Sequence, residues 1–167
     1  DPGRFLSRFP FKDFVLFASG ISDIKNPVEF IKLAGALSDI QFVMIGRQLS
    51  TEALISKYNI SLPCNLHIIG QMPHEELLDA IVACKVFVVT SRSEGLPTVL
   101  MEAMALQRTV VGCNTYGTRE VIGSEECGYI YDHSSFDDLV DKTLKAMNDS
   151  EKGLRARKRI LEIYDWR

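Results

Sequence analysis

The chain has 167 residues, 46% of them hydrophobic and 25% charged, with a formal net charge of −3. That length suits one domain with a real core and is short for two, and a mildly acidic chain without a basic run argues against a nucleic-acid partner. No apolar stretch reaches the roughly 18 residues needed to span a bilayer and no signal peptide opens the sequence, so a cytoplasmic domain without membrane contact of its own is expected.

In chain order, apolar runs of strand length alternate with segments of helical period. FVLFASG (14–20) reads as a buried strand. PVEFIKLAGAL (27–37) follows with a helical stripe at Phe30, Leu33, Ala34 and Leu37. Asn26 is placed to cap that helix, with Pro27 at its first position and Glu29 at a capping-box-like spacing. QFVMIG (41–46) is a second strand, and STEALISKY (50–58) a short helix capped by Ser50 or Thr51. NLHIIG (65–70), HEELLDAIVAC (74–84) and KVFVVT (85–90) give a strand, a helix and a strand. SRSEGLPTVLMEAMA (91–105) carries the fourth helix and RTVVGC (108–113) the fifth strand. GYIY (128–131) and two helices, 136–147 and 151–164, close the chain.

The strands are apolar throughout, which suits a parallel sheet covered on both faces. Their regular alternation with helices predicts a single α/β domain over 1–167, a Rossmann-like doubly wound parallel sheet. In such a sheet ligands bind beyond the carboxyl ends of the strands. The loops that matter are therefore SGISDIK, GRQ, GQMP, SRSEGLP and NTYGTRE. Cys64, Cys84, Cys113 and Cys127 are widely spaced in or after apolar segments, so buried thiols are expected rather than disulfides or zinc ligands. His67, His74 and His133 are equally scattered, and no metal site is expected.

The fourth helix places two glutamates, Glu94 and Glu102, among Val99, Leu100, Met101, Ala103 and Met104. Pro97 suits its first position, leaving the N–H groups of Thr98, Val99 and Leu100 pointed at the SRSEG loop, an arrangement suited to phosphate. Gly95 lets the backbone approach whatever binds there. Glu102 lies four residues on from Thr98 and leans toward the helix N-terminus, so it is expected to approach the pocket that Glu94 faces. Taken singly, each glutamate reads as a solvated or dipole-complementing charge. A carboxylate with apolar neighbours needs partners, however, and a vicinal diol supplies one donor to each of its oxygens. A phosphate beside a diol describes a nucleotide or a nucleotide-activated sugar.

These residues resemble a known family. Glu94-Gly95-Leu96-Pro97 with Glu102-Ala103-Met104-Ala105 is similar to the glutamate–seven residues–glutamate motif of retaining GT-B glycosyltransferases of group 1. The resemblance extends along nearly the whole chain. DPGRF is similar to the loop after the family's interdomain linker, SDIKN to its lysine-bearing loop, and NTYGTREVI to its Gly-x-x-Glu turn. The ending Tyr164-Asp165-Trp166 is similar to the start of the closing segment.

The resemblance implies the C-terminal, donor-binding half of a GT-B fold, with the acceptor-binding N-terminal domain of the same parent protein as its partner. It implies sugar transfer from a nucleotide-diphosphate sugar with neither cofactor nor metal. Lys25 would neutralise the diphosphate, with Gly95, Leu96, Pro97, Thr98 and Val99 completing its site and backbone N–H groups near Thr98 and Val99 holding the distal phosphate. Glu94 would be the catalytic residue at the donor sugar, Glu102 would hold the ribose, and Gln71 and Met72 would line the base. The isolated domain would bind donor without transferring sugar, and the parent protein would be cytoplasmic or peripheral to a membrane.

Gly20 stands where the family usually carries an arginine, and Arg47 and Arg92 are the candidates to supply that cation. Gln107 stands where a glycine ends the motif helix, Thr109 where a proline follows it, and Tyr116 where a glycine is common beside the donor sugar. Gly20 motivates a second hypothesis, a non-catalytic module that binds a nucleotide or nucleotide sugar. A nicotinamide-binding turn is set aside, because 19–24 lacks Gly-x-Gly-x-x-Gly. The glutamate pair likewise disfavours a sugar-nucleotide epimerase.

Overall fold

The computed structural model describes residues 1–164. Six strands form one sheet: β1 (Val15–Ala18), β2 (Phe42–Ile45), β3 (Leu66–Gly70), β4 (Val86–Val89), β5 (Thr109–Cys113) and β6 (Tyr129–Tyr131). They lie in the order β3-β2-β1-β4-β5-β6, and all neighbours are parallel. The chain winds outward from β1 to β3 and then crosses to β4 on the other side of β1. The switch point therefore lies between β1 and β4, where the loops at their carboxyl ends diverge and leave a crevice.

Helices cover both faces. On one lie α1 (Pro2–Arg8), α4 (His74–Ala83), α5 (Thr98–Ala105), α6 (Tyr116–Ile122) and α8 (Glu151–Ile163). On the other lie α2 (Pro27–Ala36), α3 (Thr51–Tyr58) and α7 (Phe136–Met147). Successive strand residues serve opposite faces, so Leu16 joins the first core while Val15 and Phe17 join the second. Both faces being buried, the strands read as continuous apolar runs, and the expected doubly wound sheet is what forms.

Several local expectations need correction. DPGRF is not a loop: Pro2–Arg8 is helical, capped by Asp1 Oδ1, which accepts from the Gly3 N–H at 2.8 Å, and anchored by the buried Phe5. NTYGTREVI is likewise more than a turn. Thr115 caps α6 by accepting from the Thr118 N–H at 3.2 Å, and Val121 and Ile122 are buried beneath it. Both helices have seven residues, too few for a hydrophobic period to stand out. Cys84, Cys113 and Cys127 are buried as expected, and burial pushes the Cys84 thiol up to about 12; Cys64 is exposed. It lies in the turn before β3, outside the packed layers. Asp165 and Trp166, from the family-like ending, lie outside the described residues. No helix of the described residues is long and apolar enough to cross a membrane.

Candidate functional site

A cavity of about 210 Å³ opens beyond the carboxyl ends of β1 and β4. Its walls include Ser19, Lys25, Glu94, Pro97, Thr98 and Val99. Each wall is fixed by bonds from another part of the chain. Thr90, fully buried just past the end of β4, bonds through its hydroxyl to the carbonyls of Lys25 and Asn26 at 3.0 and 2.9 Å. The Arg92 N–H donates to the Ile24 carbonyl at 2.8 Å. The lysine-bearing loop after β1 is thus held to the loop after β4.

Asn26 does not cap α2 with its side chain as expected. It sits in the left-handed region at φ 51°, and its Nδ2 donates to Glu29 Oε2 at 2.7 Å. That oxygen also accepts from the Tyr131 hydroxyl at 3.0 Å. Burial holds the Glu29 carboxyl above its ordinary range, with the Tyr131 bond acting in the opposite direction. This left-handed residue directly follows Lys25, whose side chain lines the cavity.

The opposite wall is the 91–97 loop and the start of α5. Gly117 decides how this loop sits. Its N–H donates to the Glu94 carbonyl at 3.2 Å, and a Cβ there would come within 2.2 Å of the Gly95 carbonyl oxygen. Only a residue without a side chain permits that approach. A Cβ at Gly95 itself would meet nothing within 4 Å, so the space above that glycine is open. Pro97 is the residue before the helix rather than its first member, with φ −76°. The first helical bond runs from the Met101 N–H to the Pro97 carbonyl at 3.2 Å. The N–H groups of Thr98, Val99 and Leu100 therefore have no partner within the helix, and the positive end of its dipole faces the cavity.

Lys25, Glu94, Leu96, Pro97, Thr98 and Val99 thus converge on one cavity, and Gly95 lies in its loop. The other expected residues do not join them. Glu102 lies on another, apolar cavity of about 330 Å³ with Leu78, Met101, Ala105, Leu106 and Leu161. Its Oε1 is 2.8 Å from His74 Nε2, at the start of α4. The expected convergence of Glu102 with Glu94 is corrected accordingly. Four residues make one turn plus about 40° of rotation, which carries Glu102 away from the β4 side toward α4. The apolar surroundings expected for it are present, and its partner is His74, 28 positions earlier in the chain, too distant for spacing to pair the two.

Gln71 and Met72 line a third cavity, about 600 Å³, with Arg8, Phe9, Phe11 and His67. The chain links these spaces, since Met72, Pro73 and His74 lead from the third cavity to the second. Among the described residues, Lys25 is the one cation lining the Glu94 cavity; neither Arg47 nor Arg92 is among its walls. Arg92 instead borders a cavity with Cys113, Asn114 and His133. Also among the described residues, no group of three His, Cys, Asp or Glu side chains is arranged to hold a metal ion.

Comparison with known proteins agrees with this architecture. The C-terminal domain of a glycosyl transferase group 1 family protein from Francisella tularensis superposes with a TM-score of 0.77 at 19% identity, covering 100% of this chain and 94% of that one. Sucrose-phosphate synthase from Thermosynechococcus elongatus superposes at 0.81 and 20% identity, over 98% of this chain and 45% of that one. In sequence, the chain is 25% identical over 158 residues to the phosphatidylinositol N-acetylglucosaminyltransferase GPI3 subunit of Saccharomyces cerevisiae. That match covers 90% of this chain and 34% of the yeast protein, so the chain spans about a third of that relative's length. The sequence model of "Glycosyl transferases group 1" matches residues 6–162, and the chain belongs to that family.

Proposed function

We propose that this chain is the donor-binding half of a retaining glycosyltransferase, which transfers a sugar from a nucleotide-diphosphate sugar to an acceptor without a metal ion. The observation that carries the reading is the meeting of Lys25, Glu94 and the unpartnered N–H groups of α5 around one cavity at the switch point. A cation and a helix N-terminus suit a diphosphate leaving group, and they do the work that a divalent cation does elsewhere. Glu94 would address the donor sugar near the reacting carbon. Glu102 would take the ribose hydroxyls, exchanging or sharing its bond with His74. Gln71 and Met72 would line the base.

Transfer needs the acceptor held against the anomeric carbon with water kept out, and positioning of that kind is worth effective molarities on the order of 10⁵ M or more. The proposed source of that positioning is an N-terminal domain of the same parent protein. A cytoplasmic location, with any membrane contact made by other parts of the polypeptide, belongs to the same proposal.

The test is calorimetry of the 167-residue chain with nucleoside diphosphates and their sugars, with and without a chelator. Binding that ignores the chelator and weakens in Lys25→Ala is expected, with no transfer to an acceptor by this chain alone. Strict dependence on magnesium or manganese would overturn the metal-free reading.

That Lys25 is, among the described residues, the one cation lining the cavity favours one second reading, a module that binds the nucleotide sugar without transferring it. A Cβ at Gly20 would lie 3.3 Å from the Arg47 carbonyl oxygen, tight but not blocked. Gly20→Arg is therefore a usable variant. A large gain in donor affinity would favour the degenerate module.

A further inference from the structure

Lys25 and Glu94 do not stand apart on the walls of the cavity: Lys25 Nζ donates to Glu94 Oε1 at 2.5 Å. The pair is unequally covered, with 36% of the lysine side chain exposed and 11% of the glutamate. A carboxylate so far from water needs a partner, and among the described residues no other side chain donates to it. The backbones on both sides are tied down independently. Thr90 holds the Lys25 carbonyl, and the Gly117 N–H holds the Glu94 carbonyl. The ion pair can therefore open by side-chain rotation, with the loops left in place.

We infer that this ion pair is a latch that makes Glu94 a specificity-determining residue, setting the cavity against a bare nucleoside diphosphate and in favour of its sugar-bearing form. The inference rests on the nucleotide-sugar reading above. A diphosphate at the start of α5 reaches Lys25 only by drawing the ammonium off Glu94. That leaves a covered carboxylate without its partner and beside an incoming anion of like charge.

A bare nucleoside diphosphate offers that carboxylate nothing in return. A nucleotide sugar brings hydroxyls that donate to the two carboxylate oxygens, so the bond lost to lysine is replaced. The order reverses at the end of the reaction. Once the sugar has left, Glu94 again has no donor but Lys25, and reclosure of the pair competes with the diphosphate for the ammonium. The latch thus favours donor loading and assists release of the spent nucleotide.

The experiment is calorimetry of the 167-residue chain with UDP and UDP-glucose and with GDP and GDP-mannose, at one ionic strength. Wild type should bind the sugar-bearing member of its preferred pair more tightly. Glu94→Gln should bind the bare diphosphate about fivefold more tightly than wild type, near the upper end for part-exposed ion pairs, while losing affinity for the sugar-bearing form. Glu94→Ala serves if the glutamine variant does not fold, because the carbonyl of residue 94 makes the bond to Gly117.

A double-mutant cycle separates a latch from simple repulsion. In the Lys25→Ala background the gain from Glu94→Gln should shrink to the part that like-charge repulsion alone supplies. An undiminished gain there would mean that Glu94 acts only as a negative charge, and would overturn the latch. Unchanged or weaker binding of the bare diphosphate by Glu94→Gln would also overturn it, leaving the nucleotide-sugar reading intact. Failure of wild type to bind any of the four ligands would sink that reading and the latch with it.

Discussion

Thr90 bonds through its side-chain oxygen to the main-chain carbonyl of Lys25 at 3.0 Å, across 65 positions of sequence. The contact joins the end of β4 to the loop after β1, which carries Lys25, among the described residues the one cation lining the cavity. Thr90→Val keeps the shape and removes the hydroxyl. It also leaves the Lys25 carbonyl without this donor, at a cost of about 1–3 kcal/mol for a buried group so stranded, while the Asn26 carbonyl keeps the Glu29 N–H. We expect a lower melting temperature together with weaker binding of a nucleoside diphosphate, although Thr90 need not touch the ligand through its hydroxyl. Calorimetry and thermal unfolding of the same variant check both effects. Unaltered binding in a destabilised protein would separate the threonine from the site.

Gly117 offers a sharper test of how the glutamate-bearing loop is seated. Alanine there would press its Cβ to 2.2 Å from the Gly95 carbonyl oxygen and 2.6 Å from that of Glu94, both main-chain atoms. Such overpacking commonly costs about 1–3 kcal/mol. Gly95→Ala, by contrast, meets nothing within 4 Å. Thermal unfolding should therefore show a loss for Gly117→Ala and little change for Gly95→Ala. Donor binding should suffer in both, by displacement of the loop in the first and by obstruction of the ligand in the second.

Glu29 links stability to pH. Burial raises its carboxyl above the ordinary value of 4.5, so the folded chain holds this proton more tightly than the unfolded chain does. A group of that kind contributes stability that is fully present below the unfolded value and is lost as pH rises through the folded one. Glu29→Gln cannot lose that contribution, and its amide oxygen remains an acceptor for Asn26 and Tyr131. The melting temperature of the variant minus that of wild type should grow as pH is raised from below the ordinary value into the weakly acidic range. A difference that stays flat across that range would show that the carboxyl is not shifted upward.

Gln107 carries a backbone cost that glycine would relieve. It lies just beyond α5 at φ 61°, where the Arg108 N–H closes the helix end onto the Ala103 carbonyl at 2.9 Å. The left-handed conformation costs a residue with a Cβ roughly 1–2 kcal/mol, part of which glycine returns through its greater freedom when unfolded. Gln107→Gly should therefore raise stability by about 0.5–1 kcal/mol in denaturant unfolding, with donor binding unchanged. A loss of stability would mean that the Gln107 side chain makes a contribution larger than the strain.

Local sequence was enough to specify the sheet, the longer helices on its two faces and the loops that form its ligand-binding edge; the seven-residue helices α1 and α6 were too short to read. Those features follow from local periodicity and from apolar runs such as VFVV and TVVGC, which only burial on both faces explains. The motif around Glu94 was legible for the same reason, since Pro97, Thr98 and Val99 build a helix start from neighbouring residues. Tertiary structure decided what depends on distant partners. It held Asn26 in a left-handed turn through Thr90, Glu29 and Tyr131, and it closed Lys25 onto Glu94. It also turned Glu102 to His74 and made Gly117 a spacer against Gly95. These contacts join segments far apart in the chain, and their geometry is set by how strands and helices pack in three dimensions, which no spacing along one segment encodes.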